Sequence, residues 1–410
     1  MRVGINCLGI DPSYRGGINA FTFGLLDGFA RVGDSHEFAI FMTPRNTALF
    51  GEYEGVSNFQ LVEIDDPDRR WLHAIHRRLP LRVKSRLLMH ATTSALGSRH
   101  EDVLTRYADV VYVPYVPPPV LFPFPDVPTV YSIHDIQQIR YPEFFTAEEI
   151  VSRERAFERC VEHATVVQAS SRYMAHEFQD HFPKLDESNV EVIPEGVDID
   201  RFSASERDND VIARYKLPKS FLFTPAQLWH HKNHITILKA LKRLSEQGLV
   251  LPWVLTGAEY SSARDVFDFI EANALDTQVF YLGVVPFEDV IALHQRARYL
   301  LIASLYESSS MPLLEAAAAG TPIIASRIPP HEEMAENLEM RLFAPTDDAE
   351  LAGVLEDAWA DEQASKAQVD SNRIGVQQYS WDNAARMYLE LFERLRARES
   401  VSAGVNPDDD

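Results

Sequence analysis

Two glutamates, Glu307 and Glu315, stand eight residues apart in the run YLLIASLYESSSMPLLEAAAAGTPIIASRIPPHEE, which extends from Tyr299 to Glu333. A carboxylate accepts hydrogen bonds at both oxygens, so a pair of them can hold a ligand rich in hydroxyl groups. Before the pair lies a short apolar strand over 300–303, and between the two lies a polar loop. Pro312 opens an Ala-rich helix, Gly320 closes it, and Thr321-Pro322 lead into a second apolar strand over 323–325. Proline near a helix start and glycine just past its end is the expected asymmetry. A parallel sheet presents its ligands at the loop leaving a strand's carboxyl end. A helix N-terminus there adds free N–H groups and partial positive charge, which favour phosphate. Hydroxyl acceptors beside an anion site describe a nucleotide sugar. Two glutamates at this spacing are common by themselves, and the strand, proline, small-residue helix and turn in register are what give the pair meaning.

The elements that must position these residues alternate between apolar runs and amphipathic helix-length segments, the α/β pattern. Strands are expected over 3–6, 37–42, 59–63, 110–113, 129–133, 165–169 and 190–193, then 221–224, 253–256, 278–282, 299–303 and 323–325. Helices are expected over 19–32, 148–163, 172–181, 234–246, 262–273, 287–296, 349–359 and 381–396. A chain of 410 residues exceeds what one core usually serves. The polar stretch within 195–219 divides two strand-rich halves. The domains read as 1–200 and 214–376, with a C-terminal helix over 377–400 packing back on the first domain and a disordered tail over 401–410.

Composition narrows the function classes. A net charge of −22 argues against a general nucleic-acid binder. No apolar run is long enough to span a bilayer. The first strand begins at the N-terminus with no basic and apolar leader, so no signal peptide is expected. Two cysteines, Cys7 and Cys160, cannot form a disulfide framework, which suits a reducing cytosol. A cytoplasmic protein is expected. The absence of GxGxxG removes support for a nicotinamide or flavin site.

Glu307-x7-Glu315, followed by Ala-Gly-Thr-Pro and a strand ending in Ser326, resembles the EX7E signature of retaining GT-B glycosyltransferases of family 4. The resemblance covers nearly the whole chain and implies an α/β GT-B architecture, two Rossmann-like domains facing an interdomain cleft. Other landmarks occur in order. Gly16 and Gly17, in Ser13-Tyr14-Arg15-Gly16-Gly17-Ile18, match the N-terminal glycine loop, where missing Cβ atoms let backbone approach a phosphate or sugar. His134, followed by Asp135, matches the histidine that faces the donor sugar, with Asp135 orienting it or the loop. Lys232 fits the lysine that meets the diphosphate. The neighbouring arginine slot holds Gln227, which lacks charge and the bidentate fork; His230 or His231 would compensate in part. Ser308-Ser309-Ser310 replaces the usual Gly-aromatic-Gly, with Ser310 placed to cap the helix.

By that resemblance Glu307 holds donor-sugar hydroxyls and Glu315 the ribose hydroxyls. Lys232 neutralises the leaving diphosphate together with N–H groups around Ser309, Ser310 and Met311, and Gly16, Gly17 and Gln227 complete the donor site. No cofactor is expected beyond the nucleotide sugar as substrate, and no metal. Adjacent histidines in His230-His231-Lys232-Asn233-His234 are poor ligand geometry, and Asp66-Pro67-Asp68, Asp198-Ile199-Asp200 and Asp208-Asn209-Asp210 read as turn or cap residues. Protein cations and a helix dipole would stabilise the leaving group in place of a metal, and a same-face displacement through an oxocarbenium-like state is the expected route.

The His-Asp and QLWHHKNH variants look closest to mannosyltransferases of surface-polysaccharide assembly, lipopolysaccharide included. They imply transfer of a hexose, mannose from GDP-mannose, to a glycan or lipid-linked glycan. Three alternatives are a UDP-sugar-dependent transferase of the same fold, a GT-B epimerase or phosphorylase, and a non-catalytic scaffold, which the serine loop and Gln227 keep open.

One segment runs against the overall acidity. Residues 69–90, RRWLHAIHRRLPLRVKSRLLMH, hold seven Arg or Lys and no carboxylate, interleaved with Trp71 and aliphatic residues. Such a stretch reads as an interfacial element drawn to anionic lipid, or as a surface helix pair with solvated charges. The membrane reading is preferred because similar enzymes use lipid-linked acceptors, and it would make the protein peripheral on the inner face of the plasma membrane.

Overall fold

The computed structural model describes residues 1–12, 16–64, 104–116, 127–204 and 210–404. The chain divides into two compact units. One comprises Met1–Ser170, Ala175–Ile193 and Trp381–Asp410, the other Ser171–Met174 and Pro194–Ser380.

The first unit carries a parallel sheet of β1 (Arg2–Asn6), β2 (Glu37–Met42), β3 (Phe59–Glu63), β4 (Val110–Val113), β5 (Thr129–Ser132), β6 (Val166–Ala169) and β7 (Val190–Val192), ordered β3-β2-β1-β4-β5-β6-β7. Its helices include α1 (Gly17–Val32), α2 (Gln137–Arg140), α3 (Ala147–His163) and α4 (Arg172–His181). The second unit carries a parallel sheet of β8 (Leu222–Pro225), β9 (Trp253–Thr256), β10 (Val279–Tyr281), β11 (Tyr299–Ile302), β12 (Ile323–Ser326) and β13 (Arg341–Phe343), ordered β10-β9-β8-β11-β12-β13. Its helices are α5 (Ile199–Ser203), α6 (Val211–Tyr215), α7 (His234–Glu246), α8 (Ala263–Ala272), α9 (Phe287–Arg296), α10 (Met311–Ala319), α11 (Pro329–Met334), α12 (Asp348–Ala360) and α13 (Glu362–Gly375), among the described residues. The chain then returns to the first unit as α14 (Trp381–Gly404).

Burial explains why these strands read as continuous apolar runs. A parallel sheet covered by helices on both faces has no solvent side, and VVYV of β4 and YLLI of β11 are buried at every position. The edge strands β3, β7, β10 and β13 are only partly buried. Within β11 the alternation sorts the core: Tyr299 and Leu301 pack with Ile237, Leu241 and Trp253 on one face, while Leu300 and Ile302 pack with Leu313, Ala316 and Ala317 of α10 on the other.

In the first unit α14 lies against α1, where Gly24 and Gly28 allow the approach. A Cβ on Gly24 would overlap the Trp381 ring, and one on Gly28 would come within 2.6 Å of the Trp381 carbonyl oxygen. Helix α3 opens with a capping box, Thr146 and Glu149 each accepting from the other's backbone N–H.

Several elements were not foreseen. β13 is three residues long and begins with Arg341, too short for a period to show. α13 reads EQASKAQVDSNRIG, a mostly polar segment whose helical state owes more to what it packs against than to its pattern. α14 continues to Gly404, past the expected start of the tail, and 405–410 lie outside the described residues. So do the basic segment 69–90 and Asp66-Pro67-Asp68.

Candidate active site

In the second sheet the strand order reverses between β8 and β11. The loops leaving these two strands therefore diverge and open a crevice at the carboxyl end of the sheet, where α/β proteins bind ligands. Backbone and side chain tie the two loops together. Leu305 N donates to His231 O at 2.7 Å, and Asn233 Nδ2 donates to Ala303 O at 2.9 Å and to Pro345 O at 2.6 Å. Asn233 makes those bonds from the left-handed region, φ 55°, which asparagine tolerates better than most residues.

Across this crevice Lys232 Nζ meets Glu307 Oε1 at 2.6 Å, and Ser304 Oγ donates to the same oxygen at 2.5 Å. The side chains are 21% and 13% exposed, so the pair is largely sheltered from water. Burial alone would raise the Glu307 pKa. The charges of Lys232 and His231, with the hydrogen bonds from Lys232 and Ser304, outweigh it and hold the carboxyl below its ordinary range. Glu307 is thus a fixed anion with a fixed cation beside it before any ligand arrives.

α10 begins one loop later. Pro312 stands in its first turn and Gly320, at φ 76°, closes it in the left-handed conformation. Ser310 stands at the N-cap, but its side chain makes no capping bond; its φ of −145° and ψ of 88° accompany a buried side chain instead. The expected serine cap is therefore not formed. Glu315 lies about one turn into α10, 16% exposed, with His294 Nε2 of α9 at 3.4 Å from its Oε2.

Gln227 is braced rather than open: its Oε1 accepts from Trp229 Nε1 at 2.9 Å, and the indole stacks on Tyr260 at 3.9 Å and 14°. His230 and Lys232 share a 3-10 turn ahead of α7. His234, fully buried, is pushed down to about 3 by burial and then by the charges of Lys232 and His231, so it stays neutral.

Two residues that sequence reasoning missed belong here. His331 of α11, with no exposed surface, donates from Nδ1 to Ser326 O at 2.9 Å, and Ser326 Oγ donates to Ser304 O at 2.6 Å. Burial lowers the His331 pKa, the charge of Glu307 opposes that, and the ring stays neutral. Glu195, in the loop after β7, is 8% exposed and hydrogen-bonds through its side chain to Ser309. Burial and then repulsion by Glu307 push its carboxyl up to about 7, against the opposing effects of Ser309 and Lys232. A glutamate flanked by Pro194 and Gly196 carried no local signal of burial.

Asp198 caps α5 by accepting from Arg201 N at 3.0 Å, and Asp210 caps α6 by accepting from Ala213 N at 3.1 Å. No group of three or more His, Cys, Asp or Glu side chains is arranged to hold a metal ion among the described residues.

The remaining predicted residues belong to the first unit. Its order reverses between β1 and β4. Gly16, at φ −169°, precedes α1 in an extended conformation that any residue adopts, so the contribution of this glycine is its missing side chain and not a left-handed turn. Gly17 opens α1 and is exposed, and Ser13, Tyr14 and Arg15 lie outside the described residues. His134 Nε2 donates to Pro114 O at 2.8 Å, and Phe21 of α1 meets the imidazole edge-on at 4.9 Å. Burial lowers the His134 pKa, so the ring is neutral with Nδ1 as its acceptor. Asp135 accepts from Gln137 N at 3.0 Å and pairs with Arg153, holding the loop. The structure thus brings Lys232, Glu307, Glu315, Ser309 and Glu195 to one crevice of the second unit, and His134 and the start of α1 together in the first.

The second unit thus carries a lysine–glutamate pair at the switch point of a Rossmann-type sheet, with a helix N-terminus beside it. Two family models match the chain. The model for Glycosyltransferase Family 4 matches residues 15–201, and that for Glycosyl transferases group 1 matches residues 206–374. The chain belongs to these family 4, group 1 glycosyltransferases and has their GT-B architecture of two Rossmann-like domains. Among curated relatives, the O-antigen chain mannosyltransferase B of Escherichia coli is 23% identical over 332 residues, 79% of this chain and 83% of that protein. A D-inositol 3-phosphate glycosyltransferase of Jonesia denitrificans is 26% identical over 299 residues, 68% of this chain and 69% of that protein. Among solved structures, Anabaena HepE in complex with UDP has a TM-score of 0.69 at 18% identity, covering 96% of this chain and 100% of that one. WaaG, a glycosyltransferase involved in lipopolysaccharide biosynthesis, has a TM-score of 0.65 at 15% identity, covering 95% and 99%.

Proposed function

We propose that this glycosyltransferase is a retaining, metal-independent hexosyltransferase that moves mannose from GDP-mannose to a glycan or lipid-linked glycan in surface-polysaccharide assembly. The observation that carries the reading is the Lys232–Glu307 pair at the β8/β11 switch point, with the start of α10 one loop away. A diphosphate set against that helix start would meet backbone N–H groups around Ser309, Ser310 and Met311 and the charge of Lys232. Both act on the charge that grows on the leaving group as the glycosidic bond breaks, and both are in place beforehand, which is what makes such stabilisation effective. Glu307, ionised and fixed, accepts hydrogen bonds from the sugar hydroxyls. Glu315 takes the ribose hydroxyls. Gly16 and Gly17 let backbone approach a phosphate or sugar, and His134 meets a sugar hydroxyl.

The mannose assignment is supported by the Escherichia coli mannosyltransferase among the relatives. Association with anionic membrane through residues 69–90 rests on that segment's basic and aromatic composition; no helix among the described residues is long and apolar enough to cross a membrane.

The test is nucleotide release from a panel of GDP-mannose, UDP-glucose and ADP-glucose, with and without glycan acceptors, in the presence of EDTA. GDP release from GDP-mannose, lost in Glu307→Ala, supports the reading. Release from a UDP-sugar alone would move the donor to uridine, and turnover that needs added divalent metal would overturn metal independence.

A further inference from the structure

Glu195 has no part in the roles assigned above, yet it is built into the same crevice. The residues after it are anchored: Val197 N donates to Tyr379 O at 2.8 Å, and Val197 and Phe202 pack against Leu313, Leu314 and Ala316 of α10. This packing brings the loop after β7 to the helix that follows the serine loop, and there the Glu195 side chain, 8% exposed, hydrogen-bonds to Ser309.

The charges facing it come from each element around the crevice. From the β8 loop comes Lys232, from the β11 loop Glu307, and from α10 Glu315. On its own segment Asp198 is turned to the N-terminus of α5. The imidazoles of His231 and His331 act on Glu307, and that of His294 stands behind Glu315. Two other carboxyl groups and one ammonium therefore act on Glu195, and that ammonium is already paired with Glu307. Gln227 adds no charge. Such a site, with all its carboxyls ionised, opposes the diphosphate it is built to bind, since a like charge at close range disfavours the ionised form of each.

We propose that Glu195 is a donor-site residue that takes up a proton from solvent when a nucleotide sugar binds, so that the diphosphate meets a neutral acid in place of a third carboxylate. The inference rests on the reading that this crevice binds a nucleotide sugar. It makes Glu195 the group that balances the missing arginine charge: the site lowers its negative charge by one proton where it lacks a guanidinium. Because the Glu195 carboxyl sits at about 7 in the free protein, it is mostly ionised at pH 8 and available to take up that proton. Donor affinity then falls as pH rises above neutrality, by up to about tenfold per pH unit for one linked proton.

The experiment is calorimetric titration of the full chain with GDP-mannose and, separately, UDP-glucose, whose diphosphate esters do not titrate near neutrality. Each is run at pH 7, 8 and 9 in two buffers of unlike ionisation enthalpy, with wild type, Glu195→Gln and Ser309→Ala. The expected result is net proton uptake in wild type at pH 8, with affinity falling toward pH 9, and neither effect in Glu195→Gln. Ser309→Ala removes the hydrogen bond that favours the ionised carboxyl, so its affinity loss should begin at higher pH. Equal proton uptake in wild type and Glu195→Gln, or donor binding with no uptake in wild type, overturns the proposal while leaving the donor site standing. An unshifted profile in Ser309→Ala overturns it independently, even if Glu195→Gln does not fold. Failure of both nucleotide sugars to bind wild type at any pH overturns the donor reading itself, and this inference with it.

Discussion

Replacing Lys232 with methionine should destabilise the second unit through the carboxylate left behind. Exposed ion pairs contribute at most about 1 kcal/mol, whereas removing one partner of a buried pair costs about 3–5 kcal/mol. Side-chain exposures of 21% and 13% put Lys232 and Glu307 near the buried limit. Ser304 and His231 still face Glu307 after the change, which limits the loss. A cost of about 2–3 kcal/mol follows. At about 2–4 °C per kcal/mol for a unit of this size, the transition of the second unit should fall by about 4–12 °C. Glu307→Gln should cost less, because Lys232 can turn to water. The double variant should recover part of the Lys232→Met loss, a coupling of about 1–2 kcal/mol. The pH dependence has a definite sign. In wild type the lowered Glu307 pKa contributes stability present above its unfolded value near 4.5 and lost as pH falls through the folded value. Without Lys232 burial prevails and the folded pKa rises, so Lys232→Met should recover stability relative to wild type as pH drops from 8 to 5. The assay is calorimetric unfolding of wild type, both single variants and the double variant at those two pH values. A Lys232→Met cost below about 0.5 kcal/mol, or one independent of pH, would refute the claim that the pair is sheltered.

Asn233→Gly should lose the two bonds to Ala303 O and Pro345 O while keeping the left-handed turn, a cost of about 1–3 kcal/mol by thermal unfolding. Asn233→Ala should cost about 1 kcal/mol more for the backbone strain, and equal melting of the two variants would refute the φ argument. Gly24→Ala should drive the Trp381 ring from α1 and cost about 1–3 kcal/mol. Gly353→Ala in α12, where an added Cβ meets nothing within 4 Å, should instead gain about 0.5–1 kcal/mol. The same sign of melting shift in both would show that α14 does not dock through Gly24.

How much of this was legible depends on how local each signal is. β11, α10 and β12 could be read because the apolar runs, Pro312 and Gly320 lie within one short stretch of chain. Lys232 and Glu307 could each be marked by resemblance, but their ion pair spans 75 residues and exists because β8 and β11 are neighbours. Glu195 was invisible for the same reason, since its burial comes from α5 packing on α10 and not from any pattern around Pro194. His331 sits just after two prolines, and only the fold brings its ring to where the charge of Glu307 acts on it. Ser310 was misjudged in the other direction: the residue type suits a cap, and the chain spends its side chain in the interior instead.

On the proposed function, a nucleotide sugar sits in the second unit between Lys232, Glu307 and Glu315. The most direct measurement is equilibrium binding of GDP-mannose and UDP-glucose, with EDTA present, to wild type and to Glu315→Ala. Loss of charged hydrogen bonds to ribose hydroxyls is a difference of about 1.5–3 kcal/mol, or about ten- to a hundredfold in affinity. Wild type should bind one of these donors, and Glu315→Ala, with unchanged melting in the absence of ligand, should bind it at least tenfold more weakly. Equal affinity in the two proteins, or no binding to wild type, would contradict it.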